Sequence, residues 1–297
     1  MTALTSPSAL PHPSHALDNG RLAAARHAFS APDRVALTAA EQAALTPAAA
    51  PPLRHEGLKL ARWRWGQGPR VVLVHGWNSR GAHLLGWVPP LLAAGLSVTL
   101  FDLPGHGESG GHTASVVHAG RALQAVLKAE GPVHAVVGHS MGSAAALLAL
   151  AQLPALRLAC SVHLAGPSSL TPVVQGLARA HGLGPAEQAA WLAWVEGFIG
   201  GPLAQADLPA LQPGLRHAAL IVHDREDRTV PFSASQALHE TWPGSVLEAV
   251  SGLGHRRLLQ DANVIARAVE FITRHRPVSV VSPPARDRHP ALPQGAD

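Results

Sequence analysis

Two kinds of hydrophobic pattern alternate along the middle of the chain. Residues 58–65 alternate apolar with polar side chains, and this period of two predicts a strand with one buried face. Later segments are short continuous apolar runs, typical of parallel strands that are covered on both faces. These runs cover 70–75, 98–101, 133–137, 160–164, 218–222 and 246–250. Helical patterns between them cover 82–94, 114–130, 142–153, 233–241 and 257–275.

This alternation predicts an α/β fold in which a mainly parallel, doubly wound sheet carries helices on both faces. We expect the core to comprise residues 56–166 and 217–276. About fifty residues separate the apolar runs 160–164 and 218–222, which is too long for an ordinary loop. Because a helical pattern lies within this gap, we expect residues 167–216 to form a helical cap over one edge of the sheet.

The two ends of the chain are predicted to lie outside this core. Residues 1–55 are expected to form an N-terminal extension that is partly disordered, because its first twenty residues are rich in Pro, Ser and Ala. Within it, 21–30 and 38–46 have the pattern of short helices, and 47–52 has the Ala and Pro content of a linker. The tail 277–297 contains five prolines and is expected to be flexible.

Composition excludes several classes of function. The formal net charge of +4 is spread along the chain, which does not favour nucleic-acid binding. No apolar run approaches the ~18 residues of a membrane span, and no Cys and His residues have metal-ligand spacing. The glycine-rich segment 102–109 lacks the Lys and Ser or Thr of a phosphate-binding loop. Cys160 is the single cysteine, so no disulfide forms within the chain, and we expect a cytoplasmic protein.

The strongest chemical signal is the pentapeptide Gly138-His139-Ser140-Met141-Gly142. It follows the apolar run 133–137 and precedes a helix-forming stretch, which is the strand–turn–helix context of a Gly-x-Ser-x-Gly nucleophile. A nucleophilic serine has to stand on a sharp, strained turn, and glycines two residues to either side remove side chains that would collide with backbone. The motif therefore predicts that Ser140 is a nucleophile.

Ser140 needs a base and an acid that orients the base. His255 lies in a glycine-rich loop after the last predicted strand, at the same sheet edge as Ser140, so it is the candidate base. The segment after the run 218–222 contains Asp224 and Asp227. The order serine, acid, histidine suits this architecture. Asp227 is the preferred acid and Asp224 the alternative.

An oxyanion hole needs two backbone N–H donors near Ser140. Met141 follows the nucleophile directly, and the loop after the run 70–75 offers Trp77 beside a flexible glycine. The expected substrate-binding residues are the flanking loop residues and two tryptophans of the predicted cap helix. These are His75, Gly76, His139, Trp191 and Trp194.

Together these features make the chain similar to members of the α/β-hydrolase superfamily over residues 58–275, and within it to uncharacterised bacterial hydrolases of the esterase type. The resemblance implies a catalytic triad and a cap at 167–216. In the family the acid often lies in Gly-x-x-Asp-x-x-x-Pro. Here Asp227 and Pro231 match that pattern, but Asp224 stands at the glycine position, so the resemblance favours Asp227 without removing the alternative.

The sequence thus predicts a serine hydrolase that cleaves a small-molecule ester or thioester through an acyl-enzyme, with neither metal nor organic cofactor. A C–C bond hydrolase or a perhydrolase would use the same triad. A non-catalytic ligand-binding protein on the same fold is the alternative from a different class.

Overall fold

The computed structural model describes residues 20–153 and 155–275. The strands are β1 (Ala49–His55), β2 (Leu58–Trp65), β3 (Arg70–Val74), β4 (Ser97–Phe101), β5 (Val133–His139), β6 (Cys160–Leu164), β7 (Ala218–Asp224) and β8 (Ser245–Val250). The helices are α1 (Gly20–Ser30), α2 (Ala39–Leu45), α3 (Val88–Ala93), α4 (Val116–Glu130), α5 (Met141–Ala151), α6 (Thr171–Ala180), α7 (Pro185–Ile199), α8 (Leu208–Leu211), α9 (Ser233–Thr241), α10 (Gly254–Arg257) and α11 (Ala262–Arg274). Short 3₁₀ helices span Thr46–Ala48, Gly81–Trp87, Leu203–Ala206 and Gln212–Gly214.

The eight strands form one sheet in the order β1-β2-β4-β3-β5-β6-β7-β8. Strand β2 pairs antiparallel with both β1 and β4, and the remaining pairs are parallel. The predicted α/β fold with a mainly parallel sheet is therefore confirmed. The chain passes from β3 to β4 on one side, and then returns from β4 to β5 on the other side of β3. Ligands of such sheets bind beyond the carboxyl ends of the strands at this switch point.

Each face of the sheet has its own apolar core. Successive residues of β3 alternate between them, so that Val72 and Val74 face one core while Val71 and Leu73 face the other. Helices α1 and α4 to α7 cover the first face, and α2, α3 and α11 cover the second. Strands that are buried on both faces explain the continuous apolar runs in the sequence.

Part of the N-terminal extension belongs to the sheet, which corrects one prediction. The proposed linker 47–52 is wrong, because Ala49–His55 is the edge strand β1 and pairs with β2. Its register shifts between Ala50 and Leu53, where two prolines lie, and prolines are tolerated in a strand only at such edges and bulges. The predicted short helices are present as α1 and α2. The expected disorder of the first residues and of 277–297 lies outside the described residues.

The last helix begins later than the pattern 257–275 indicates. Asp261 caps it by accepting hydrogen bonds from the backbone N–H groups of Asn263 and Val264, so α11 starts at Ala262. Between β6 and β7 the chain forms α6, α7 and α8, within the range predicted as a cap. Within the described part of the chain, no helix has both the length and the apolar character needed to cross a lipid bilayer.

Candidate active site

Ser140 stands on the turn between β5 and α5 in a strained backbone conformation. Its φ is +53°, a value that side-chain-bearing residues rarely adopt. A Cβ on Gly138 would lie 2.6 Å from the carbonyl oxygen of Gly142, and one on Gly142 would lie 2.4 Å from that of Val74. The two motif glycines are therefore required by close backbone approach, and they let the turn lift Ser140 above the sheet.

The structure brings Ser140, His255 and Asp227 into one hydrogen-bonded chain. His255 lies on the single-turn helix α10 after β8, with its Nε2 2.9 Å from Ser140 Oγ. Its Nδ1 lies 2.7 Å from Asp227 Oδ2. A carboxylate only accepts hydrogen bonds, so His255 donates from Nδ1–H to Asp227. This leaves Nε2 as the acceptor for the hydroxyl proton of Ser140.

Several hydrogen-bond donors hold Asp227 in its charged carboxylate form. Burial acts to raise the pKa of Asp227, but hydrogen bonds from the Val230 backbone, the His255 ring and the Thr229 backbone outweigh it and lower that pKa below its usual value. His223 Nε2 lies 3.3 Å from the same oxygen that faces His255. The environment therefore favours the charged form that can orient an imidazole.

Asp224 has different partners. Its Oδ2 accepts from the backbone N–H groups of Leu253 at 2.6 Å and Gly254 at 2.8 Å, and its Oδ1 accepts from Glu226 at 2.7 Å. These bonds fasten the loop that carries His255 to the end of β7. No hydrogen bond joins the Asp224 carboxylate to the imidazole of His255. Asp224 thus has the geometry of a brace for that loop.

Two backbone N–H groups are available near Ser140 for an oxyanion. Within the described part of the chain, the N–H groups of Met141 and Trp77 take part in no hydrogen bond. Met141 is the first residue of α5, so the positive end of that helix dipole lies beside Ser140. Trp77 lies in the loop after β3. The residue that follows it, Asn78, has a φ of +47°.

The structure corrects the substrate-binding prediction for His75 and Gly76. His75 is buried beneath the loop, where Nε2 accepts from the Leu103 backbone and Nδ1 donates to the Gly76 carbonyl. Burial holds the pKa of His75 well below its usual value, in agreement with this neutral tautomer. Gly76 lets the loop approach, since a Cβ there would lie 3.0 Å from Ser140 Cβ. Both residues shape the loop and neither lines a cavity beside Ser140.

His139 lines a cavity beside Ser140, and it also positions the candidate base. Burial lowers the pKa of His139 to about 3, so the ring is neutral. Its Nε2 donates to the backbone carbonyl of His255 at 2.9 Å, and the two rings lie 4.9 Å apart. His139, the motif residue before Ser140, therefore connects the nucleophile turn to the loop that carries His255.

The prediction that Trp191 and Trp194 bind substrate is also corrected. Trp191 is buried and donates from its indole to the Val174 carbonyl at 3.1 Å, which ties α7 to α6. Its ring stacks on Trp194 at 5.6 Å, and neither residue lines the cavities that reach Ser140. Their helical spacing is that of residues that pack one helix on another.

Two cavities meet at Ser140. The first has a volume of about 350 Å³, and its lining is mostly apolar, with contributions from α1, α4, α5 and α6. The second is about 360 Å³ and has polar side chains along its walls, including Asn78, His83, Arg256 and Gln260. Trp77 and Thr229 border both cavities. Among the described residues, no three His, Cys, Asp or Glu side chains gather where they could hold a metal.

Sequence reasoning missed two residues that contribute to the site. His223 braces Asp227 from within β7, which extends past the predicted apolar run 218–222. Phe29 of α1 lines the apolar cavity, although it lies 111 positions before Ser140 in the chain. No local motif marks either residue, because their contact with the site depends on tertiary packing.

A family model described as the alpha/beta hydrolase family matches residues 71–268. Among curated proteins, a pimeloyl-[acyl-carrier protein] methyl ester esterase from Methylococcus capsulatus is 42% identical over 91 residues, which is 30% of this chain and 34% of that protein. One from Aeromonas hydrophila is 54% identical over 46 residues, 16% of this chain and 18% of that protein. The match thus spans about a third or less of the length of these relatives.

Solved structures show the same fold at low sequence identity. An esterase from Pyrococcus furiosus, Pf2001, has a TM-score of 0.64 and 21% identity, covering 83% of this chain and 97% of that one. The protein Est1E from Butyrivibrio proteoclasticus, solved with bound ferulic acid, has a TM-score of 0.57 and 17% identity, covering 76% and 97%.

Proposed function

Because the chain belongs to the alpha/beta hydrolase family, we propose that it is a serine hydrolase that cleaves a carboxylic ester or thioester through an acyl-enzyme. The observation that carries this proposal is the continuous line of hydrogen bonds from Ser140 through His255 to Asp227, 2.9 Å and 2.7 Å long. A serine hydroxyl is a weak nucleophile until a neighbouring base takes its proton, and this arrangement supplies that base in its correct tautomer.

The proposed reaction has two halves. Ser140 Oγ attacks the carbonyl carbon while His255 Nε2 takes its proton, and the N–H groups of Met141 and Trp77 stabilise the oxyanion that forms. Collapse of the tetrahedral intermediate breaks the ester bond, and the imidazolium gives its proton to the departing alcohol or thiol. A water molecule then attacks the acyl-enzyme by the same route and releases the acid and Ser140.

The two cavities support a division of the substrate at its scissile bond. The apolar cavity would hold the acyl chain, because its lining offers few groups that could replace the hydrogen bonds of a polar ligand. The polar cavity would receive the leaving group, since its side chains can hydrogen-bond it. The two curated relatives are named as methyl ester esterases, which supports ester cleavage as the reaction.

The test is replacement of the nucleophile. Ser140→Ala should abolish hydrolysis of p-nitrophenyl esters and covalent labelling by a fluorophosphonate, while circular dichroism remains that of the unchanged protein. Ser143→Ala is the matched control, because it removes a buried hydroxyl from the same helix. That hydroxyl contacts His163 and not His255. It should keep both activities.

Failure of the unchanged protein to react with the fluorophosphonate would reject the acyl-enzyme and favour the ligand-binding alternative. Labelling at a residue other than Ser140 would reject the assignment of the nucleophile.

A further inference from the structure

Helix α1 is outside the segment that the family model matches, yet it forms part of the apolar cavity. Ala28 and Phe29 line the cavity together with Ser140, Met141 and the second turn of α5. The cavity continues along α5 to Leu148, eight residues beyond Ser140, or roughly 12 Å at the rise of a helix. The wall that α1 supplies therefore faces a deep space that opens at the candidate nucleophile.

Phe29 is fixed in this wall by aromatic packing. Its ring contacts Trp191 edge to face at 5.6 Å, and it lies 6.3 Å from Trp194 and 6.2 Å from Phe198. Only 7% of Phe29 is exposed. Trp191 and Trp194, which the sequence predicted to bind substrate, thus pack against Phe29 on the side away from the cavity and support the Phe29 ring that lines it.

The segment after α1 is anchored at the loops around the site. Asp33 and Asn78 exchange two hydrogen bonds of 2.9 Å, from the Asp33 backbone N–H to Asn78 Oδ1 and from Asn78 Nδ2 to the Asp33 carboxylate. Arg34 Nη2 donates to the Ser109 carbonyl at 2.9 Å. The Ala114 backbone N–H donates to the carbonyl of Ser30 at 2.8 Å. Since these bonds fasten both the chain after α1 and the loop beside Trp77, α1 is a fixed wall of the cavity.

We propose that Phe29 sets the length of the acyl chain that the enzyme accepts, by closing the apolar cavity with a rigid ring from α1. This rests on the proposed function, in which Ser140 reacts with the acyl carbonyl. The cavity of about 350 Å³ has room for roughly ten groups of the size of a water molecule, at ~30 Å³ each. The substrate class is therefore an ester or thioester of a medium-length, apolar acid.

The experiment measures kcat/KM for p-nitrophenyl esters from butanoate to tetradecanoate. Phe29→Ala opens the wall, so the ratio of dodecanoate to butanoate turnover should rise by about tenfold or more, the discrimination that one methylene group provides in an apolar pocket. Phe29→Trp fills the cavity and should lower the same ratio. The opposite signs separate a change of length preference from a general loss of activity.

Leu22→Ala is the matched control. Leu22 is buried in α1 and packs in the same apolar core, but it does not line the cavity. It should reduce thermal stability as Phe29→Ala does, and it should leave the chain-length profile unchanged. Phe29→Leu, which keeps an apolar side chain, provides a second variant if Phe29→Ala does not fold.

A binding measurement separates failure of this inference from failure of the proposed function. Calorimetric titration with fatty acids of the same lengths needs no catalysis. If the unchanged protein hydrolyses no ester but Phe29→Ala shifts fatty-acid affinity to longer chains, Phe29 sets the chain length that the cavity accepts and the proposed function is wrong. If the two Phe29 variants keep the profile of the unchanged protein, or Leu22→Ala shifts it equally, Phe29 does not set chain length.

Discussion

The two candidate acids are predicted to fail in different ways when each is replaced by asparagine. In Asp227→Asn, an amide nitrogen faces His255 Nδ1 and favours the tautomer that carries its proton on Nε2. That nitrogen could then no longer accept the proton of Ser140. The expected loss of kcat is about 10⁴, the scale measured for this change in a Ser-His-Asp triad. The Oδ1 bonds from Thr229 and Val230 remain possible in the variant, so it should stay folded.

Asp224→Asn should act on stability instead. Its carboxylate accepts three backbone N–H bonds, and an amide can present its oxygen to one side only. Hydrogen bonds to a charged group contribute about 1.5–3 kcal/mol each. Losing one and weakening the others should lower the free energy of unfolding by about 2–4 kcal/mol. For a chain of this size, that shifts Tm by roughly 3–8 °C.

The assay pairs initial rates on a p-nitrophenyl ester with thermal unfolding followed by circular dichroism. Both variants are measured below the Tm of the weaker one, so that rates refer to folded protein. A variant Asp224→Asn that loses more rate than Asp227→Asn would refute the assignment of Asp227 as the acid. Equal losses of rate would show that the two carboxylates act as one unit.

Three further predictions concern the backbone around Ser140 and a buried histidine. Met141→Pro removes one oxyanion donor and also disfavours the positive φ of Ser140 before it, so it should lower kcat by at least about 10²–10³-fold, whereas Met141→Leu keeps the donor and the rate. Burial lowers the pKa of His163 to about 3, while a histidine of the unfolded chain titrates near 6.5. Below pH ~6 unfolding therefore takes up a proton at His163, and this residue contributes about 1.4 kcal/mol per pH unit to the fall in stability with falling pH. His163→Gln should reduce that slope in urea titrations between pH 7 and pH 5, and an unchanged slope would contradict a neutral buried His163. Gly142→Ala drives a Cβ to 2.4 Å from the Val74 carbonyl and should yield little folded protein, whereas Gly197→Ala, with nothing within 4 Å, should keep or raise Tm.

Most of the sheet could be predicted from sequence because its strands are buried on both faces. The continuous apolar runs of β3 and β5 are typical of parallel strands that are covered on both faces. Strand β1 was missed because its two prolines and its exposed positions give no such run, and only its pairing with β2 makes it a strand. Edge strands depend on their neighbour, and a pattern confined to one segment does not contain that neighbour.

The residues of the candidate site also differ in how far the sequence alone could predict them. Ser140 and His255 could be proposed as site residues because Ser140 directly follows β5 and His255 lies in the connection after β8, and parallel strands end at one edge. The choice between the two aspartates could not be made locally, because Asp224 ends β7 and Asp227 lies only three residues later, and their roles depend on which partners their oxygens meet. Asp224 meets the Leu253 backbone, and Asp227 meets the His255 ring.

The contribution of Phe29 could not be predicted for a further reason. Its ring joins a cavity whose other walls come from α5 and α6, far along the chain. Conversely, the tryptophans of α7 have the pattern expected of cap residues that cover a ligand, but the same apolar side chains serve equally well to pack one helix on another.

The prolines of β1 also determine what the sheet can do at that edge. A strand at the border of a sheet exposes a row of amide groups to which another chain can add. Pro51 and Pro52 have no N–H, and the carbonyl of Pro51 already accepts hydrogen bonds from the Arg62 side chain. A second polypeptide therefore finds no continuous ladder along β1, and this border resists the strand addition from which aggregates grow.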